Sequence, residues 1–291
     1  MPPTLEEAYA YCTDLTRRRA RNFYYAFITL PKEKRKAIYA AYAFCRLSDD
    51  YSDEEIPVDE KAALLTRLHR DLDEAFEGSP ESPVFVALLD ACRKFGIPKD
   101  YFHEIIKGVE MDLVIHSYPS FEELYQYCYR VASVVGLVCI EIFEYTDPRA
   151  REFATDMGIA MQLTNILRDI EEDCGRGRVY LPENELAQHG VTPESLRARD
   201  SGPEFRAMMA QQVGRARDYF ERSAALLPLL APRSRLCPAV LRALYSALLD
   251  RIEARDYNVF GERVALSSRE KLTLTARVWS ATMLRNLVRR W

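Results

Sequence analysis

The sequence predicts an all-α protein folded as one domain over residues 1–291. Three observations lead there. Apolar residues recur three and four positions apart along nearly the whole chain, and no strand alternation of convincing length competes. Helix start and stop signals repeat in the same rhythm. Proline and glycine fall mainly between the periodic segments, without an internal repeat, so the helices are expected to share one core.

The elements follow in order. A first helix, about residues 4–20, opens on Thr4 with Glu7 three positions on, a capping box in which each residue satisfies a free amide of the other. The second, 32–53, starts behind Pro31, whose fixed φ suits a helix entrance, and runs through the apolar "AIYAAYAF" into the acidic "CRLSDDYSDEE". Segments 59–77 and 83–95 stop at Gly78 and Gly96, the latter entered through Pro83; 99–117 follows. Ser120 with Glu123 reads as a second capping box ahead of 121–145, and Pro148 opens 148–173. The long irregular connection "CGRGRVYLPENELAQHG", Cys174 to Gly190, has the length at which loops are often functional. Pro193 marks another helical start, and helices at 203–230, 238–256 and 268–289 complete the chain.

Composition narrows the function. With 48% hydrophobic and 29% charged residues the chain is an ordinary globular one. A net charge of −4 argues against a partner held by broad phosphate neutralisation, so no nucleic acid is expected. "MPPTLEEAYAYC" lacks the basic and apolar regions of a signal peptide, and no run reaches the roughly 18 apolar residues of a membrane span. A cytoplasmic protein is expected. Seven cysteines without a CxxC pair and four histidines without HExxH do not suggest zinc chemistry, whereas clustered carboxylates suit hard cations such as magnesium.

Two acidic stripes carry the chemistry. Tyr42, Arg46, Asp49 and Asp53 share a helix face, a line of aromatic, cation, carboxylate and carboxylate. Asp49, Asp50 and Asp53 sit at a helix C-terminus, where the macrodipole disfavours negative charge, so a purely structural role is uncomfortable. In "GIAMQLTNILRDIEED", Gly158, Gln162, Asn165, Asp169 and Asp173 form a second stripe opposite Ile159, Leu163 and Ile166. Amides and carboxylates on a helix fit for burial are costly unless paired or coordinated. Two Asp-x-x-x-Asp ends facing each other across a cavity would hold magnesium ions, which neutralise a diphosphate and promote its departure.

Four stretches, "RNFYYAFITLPKEKRKAIYAAYAFCRLSDDYSD", "YCYRVASVVG", "MQLTNILRDIEEDCGRGRVYLP" and "YNVFGERVALSSREKL", closely resemble the squalene/phytoene synthase family in order and spacing. The resemblance implies an isoprenoid synthase helical bundle with a central cavity, forming one catalytic domain. It implies magnesium at Asp49, Asp53, Asp169 and Asp173, with Gln162 and Asn165 near the reacting diphosphate. Arg46, Arg168 and Arg178 match positions that contact diphosphate oxygens, a task suited to the guanidinium fork; an ion pair with Glu172 is the structural alternative for Arg168. Tyr127, with Val131 and Val135 on its face, would line the cavity beside the reacting carbons, and Phe23, Phe27, Tyr42 and Tyr257 would also face substrate. Arg17, Arg18, Arg19 and Arg21 suit either diphosphate attraction or a solvated face. Tyr51, Ser52 and Asn22 depart from common family residues.

The family divides between two farnesyl groups, giving thirty-carbon products, and two geranylgeranyl groups, giving forty. A closed apolar cavity is limited by what blocks its floor. Bulky Phe27 and Tyr39 favour farnesyl diphosphate, with presqualene diphosphate as intermediate and squalene or dehydrosqualene as product; phytoene is the alternative and a non-catalytic assembly protein a remote one. NADPH use is left open, since relatives that use it lack a GxGxxG motif too. "MLRNLVRRW" fits either a peripheral membrane contact or an ordinary terminal helix, and a monomer or weak dimer is expected.

Overall fold

The computed structural model describes residues 2–20, 23–78 and 80–288, with only the helical backbone of 283–288. Arg21 and Asn22, singled out above, lie outside the described residues, as do residues 289–291 and the side chains of "MLRNLVRRW". Among the described residues the fold is helical without a named strand, around one continuous apolar core.

Helix α1 (Leu5–Arg19) carries the expected capping box: Glu7 N donates to Thr4 Oγ1 at 3.3 Å and Thr4 N to Glu7 Oε2 at 2.8 Å. Its arginines behave as a solvated face, with exposed Arg18 2.5 Å from Asp14. A single turn, α2 (Tyr24–Phe27), absent from the sequence reading, leads into α3 (Lys32–Asp53), α4 (Val58–Glu77) and α5 (Pro83–Phe95). Gly96 ends α5 in the left-handed region at φ 66°, where a side chain would be strained. Helix α6 (Lys99–Val114) then packs on α3 and α4.

The expected helix 121–145 is interrupted. It runs as α7 (Phe121–Cys128), a π-helical turn at Tyr129–Ser133, and α8 (Val134–Phe143). Ser120 Oγ donates to Glu123 Oε2 at 2.6 Å without capping the backbone. The wide turn falls within "YCYRVASVVG" and is pressed against two helices. A Cβ on Gly158 of α9 (Ala150–Arg168) would stand 2.4 Å from Ser133 Cα, and one on Gly108 of α6 would stand 2.8 Å from Val131 Cγ1. Gly158, read as the small end of a polar stripe, therefore serves close backbone approach. By hydropathy Phe121–Phe143 is long and apolar enough to cross a membrane, contrary to the sequence reading, but half of its most apolar window is buried inside the protein.

The helix expected over 148–173 also breaks. Asp169, at φ −105° and ψ 15°, separates α9 from α10 (Ile170–Gly175). The long connection after it is strapped down rather than loose: Val179 N donates to His116 O at 2.8 Å and Glu183 N to Tyr118 O at 2.9 Å. Within it lies α11 (Glu183–Gln188), whose buried Glu185 accepts from Arg215 Nη2 at 2.6 Å and from Gln212. Helices α12 (Pro193–Arg197), α13 (Pro203–Ser223), α14 (Leu226–Leu229), α15 (Leu236–Ala254) and α16 (Ser268–Val288) complete the bundle. Helix α9 is central, against α8, the π turn, α13 and α15. All seven cysteines are free thiols.

Candidate active site

Helices α3 and α9–α10 set their acidic ends on opposite walls of a polar cleft of about 330 Å³. One wall carries Arg46, Asp49, Ser52 and Asp53; the other Gln162, Asn165, Asp169 and Asp173. Asp112 of α6 and Tyr127 of α7 form the back, with Arg176, Arg178 and Tyr180 from the strapped connection. The four aspartates, both amides, Arg46, Arg178 and Tyr127 thus meet as expected.

Charge is unevenly compensated across this cleft. Arg46 donates through Nε and Nη2 to Asp50 Oδ1 at 2.8 and 2.7 Å, with Nη1 3.8 Å from Asp49 and Nη2 3.6 Å from Asp53. Asp49 lines the mouth with half its side-chain surface open, yet enough protein surrounds it that desolvation pushes its carboxyl up to about 7, helped by Asp53 and Asp112 against Arg46. Asp173 is likewise raised to about 7, by burial and then by Asp169 and Glu172. Asp169 is clamped: it accepts from Arg168 at 2.9 and 2.5 Å and from Arg263 Nε at 2.8 Å. Arg168 pairs with Asp169 rather than Glu172, and it lines an adjoining 190 Å³ cavity with Tyr245, Arg263 and Lys271 instead of the main cleft.

Other expected substrate residues also lie elsewhere. Phe23, Phe27 and Tyr42 form an aromatic group with ring centroids 5.9 to 6.4 Å apart, joined by Tyr39 and Tyr245. None of them is part of the carboxylate lining. Val131 abuts Gly108, and Tyr257 occupies the turn after α15 at φ 62°. Ser52, noted as a family departure, does touch the site, its Oγ donating to Asp49 O at 2.9 Å.

Sequence reasoning missed the group at the back. Tyr127 Oη donates to Asp112 Oδ2 at 3.1 Å and Tyr180 Oη to Asp112 Oδ1 at 2.7 Å, with the tyrosine rings stacked 5.1 Å apart. Burial raises the Asp112 carboxyl despite these donors, and drives the Tyr127 hydroxyl well above the usual phenol range. Tyr127 is consequently a neutral donor, and the basic atoms of the group are the Asp112 oxygens. A signal existed: Asp112 interrupts the apolar series Ile105, Val109 on α6. Arg176, 3.9 Å from Asp53 and 3.0 Å from Glu172, was missed as well; it links the two acidic walls.

A squalene/phytoene synthase family profile matches residues 16–270. The chain is 38% identical over 294 residues to the 15-cis-phytoene synthase of Synechococcus elongatus, covering 97% of this chain and 96% of that one. Among solved structures, a dehydrosqualene synthase in complex with ligand superposes with a TM-score of 0.88 at 31% identity, over 95% of this chain and 97% of the other. A squalene synthase from Alicyclobacillus acidocaldarius gives 0.83 at 31% identity, over 89% and 98%.

Proposed function

Because the chain belongs to the squalene/phytoene synthase family, we propose that it condenses two geranylgeranyl diphosphates head to head into phytoene. The prenyltransferase class follows from the family; the substrate is the proposed part. The observation that carries it is the facing pair of Asp-x-x-x-Asp walls with arginines between them. Chain length is argued from relatives: the 38% match is named a phytoene synthase, while the squalene-type structures match at 31%. The thirty-carbon expectation keeps only Phe27 and Tyr39, which are 5% and 4% exposed and packed in the aromatic group.

The donor set fits magnesium, since it consists of carboxylate and amide oxygens. Asp49, Asp53 and Asp173 would hold it most readily, Asp169 being already engaged by two arginines. Among the described residues no three carboxylate, histidine or cysteine side chains close on one point, so substrate oxygens and water would complete the coordination. Bound magnesium supplies charge neutralisation to a departing diphosphate. The chain's own residues do the rest. Arg46, Arg176 and Arg178 offer forks to the diphosphate oxygens. Gln162, whose Oε1 accepts from Asn165 Nδ2 at 3.2 Å, holds the amide pair in register on α9. Asp112, fixed by two phenolic donors, places a carboxylate where a carbocation can be stabilised or lose a proton.

Purified protein supplied separately with farnesyl and geranylgeranyl diphosphate in magnesium, with and without NADPH, tests the reading through the hydrocarbons formed. Phytoene from the longer substrate is expected. A thirty-carbon product formed in preference overturns the chain length, and no hydrocarbon from either overturns the condensation.

A further inference from the structure

His69 of α4 and His103 of α6 meet with their Nδ1 atoms 2.7 Å apart. Their ring centroids are 5.0 Å apart and their planes differ by 14°. So long a centroid spacing with so short a nitrogen contact places the rings edge to edge in nearly one plane, with the two Nδ1 atoms pointing at each other. At the outer edges, His103 Nε2 lies 3.0 Å from Asp73 Oδ1 and His69 Nε2 lies 3.5 Å from Glu110 Oε1. The row Asp73, His103, His69, Glu110 alternates between α4 and α6 at every step. The imidazoles are largely shielded, with side chains 23% and 18% exposed.

Proton counting decides what this row can be. A neutral imidazole has one N–H and one bare nitrogen. If both rings direct their N–H to the outer carboxylates, two bare lone pairs face each other across 2.7 Å. One added proton resolves this: one ring donates at both nitrogens and the other accepts at Nδ1. Two added protons bring two N–H groups into collision. The row is therefore complete when it holds one proton more than two neutral rings, a positive charge between two carboxylates.

We propose that Asp73, His103, His69 and Glu110 form a proton-sharing clasp between α4 and α6, and that it positions Asp112, two residues beyond Glu110 on α6. The charged groups facing the pair are Asp73 of α4, which also accepts from Lys99 Nζ at 2.5 Å, and Lys107 and Glu110 of α6. Burial, with His103 beside it and against the pull of Glu110, holds His69 below the ordinary imidazole range. Refusal of the second proton is consistent with that. With one proton kept and a second refused, the folded pair binds fewer protons than the unfolded pair once the pH is below the unfolded value of about 6.5, so its stabilisation is lost as the pH falls from there.

The test uses the full chain labelled with 15N in histidine, the pair being assigned by signals lost in His69→Asn and His103→Asn. At neutral pH one Nδ1 of the pair should carry a proton and the other none, with both Nε2 protonated. Two rings in the same protonation state at Nδ1, a bare Nε2 on either ring, or rings that titrate independently, overturn the clasp. His69→Asn keeps an amide donor for His103 Nδ1 but cannot titrate. From about pH 6.5, where the unfolded pair also holds one proton, down to about pH 5, the wild type should lose about 2–4 °C more in melting temperature than this variant; equal losses also overturn the clasp. The link to Asp112 rests on the proposed condensation and is read separately. The acid limb of kcat should be steeper in wild type than in His69→Asn with KM unchanged, and identical profiles overturn the positioning role whatever the protonation pattern.

Discussion

Asp173 shows at the scale of one residue how a proposed metal-holding role and stability oppose each other. Its carboxyl is raised to about 7, so the folded state binds a proton that the unfolded state has already lost. The sign follows: its contribution to stability declines as the pH rises from the unfolded value of about 3.9 through about 7, and above that the ionised group is a net cost. Asp173→Asn removes the charge while keeping the shape. At pH about 8, without added cation, the variant should be more stable than wild type by about 1–2 kcal/mol once solvent screening at the cleft mouth is discounted, and should melt at a higher temperature. Turnover should fall about a hundredfold or more, the scale of losing one preorganised charge-stabilising group. Melting curves and steady-state rates check both halves, and undiminished wild-type turnover in EDTA would refute the metal reading. Asp112 makes a contrasting case. Asp112→Asn leaves an acceptor for Tyr180 but removes the carboxylate, so kcat should fall while KM stays near wild type; an unchanged kcat would demote the group to a structural support.

Among the elements, the π-helical turn is the feature on which the cleft's geometry depends. It bulges between Tyr127 and α8, and α9 admits it only because Gly158 has no side chain. Gly158→Ala would push a methyl into the backbone at Ser133 and Ala132, which cannot swing aside as a long side chain can. A loss of about 3 kcal/mol or more is expected, the upper end of overpacking costs, together with loss of activity as α9 shifts its amides and Asp169. Gly214 is the control. It lies inside α13 with nothing within 4 Å of the added carbon, so Gly214→Ala should stabilise by up to about 1 kcal/mol. Thermal denaturation of the two variants separates a packing requirement from helix propensity.

For the whole molecule, the proposed condensation requires room for two hydrocarbon tails. The Phe27 ring centroid lies 5.9 to 6.3 Å from those of Phe23, Tyr39 and Tyr42, and the residue belongs to the core around α2, α3 and α15. If the chain makes phytoene, Phe27→Ala should leave the preference between farnesyl and geranylgeranyl diphosphate unchanged while costing about 3–5 kcal/mol. If Phe27 is a floor, the preference shifts toward the longer substrate. The comparison is a ratio of kcat/KM values, which cancels lost folded protein.

By itself the sequence determined the helical class, the order of the long helices, and the two aspartate stripes with Arg46, Gln162 and Asn165. All of these are local: periodicity three and four residues apart, caps, and spacing within one element. Arg178 and Tyr127 came instead with the family motifs, because nothing in their immediate neighbourhood separates them from a surface arginine or a core tyrosine. The tertiary structure alone decided the rest. Only packing brings Asp112 from α6 to Tyr127 and Tyr180, 15 and 68 residues away, and only packing brings Arg263 to Asp169. The break at Asp169 and the π turn are likewise invisible to periodicity. Hydrogen bonds and charge pairs between distant segments depend on distances in space, and those exist only once the core has closed.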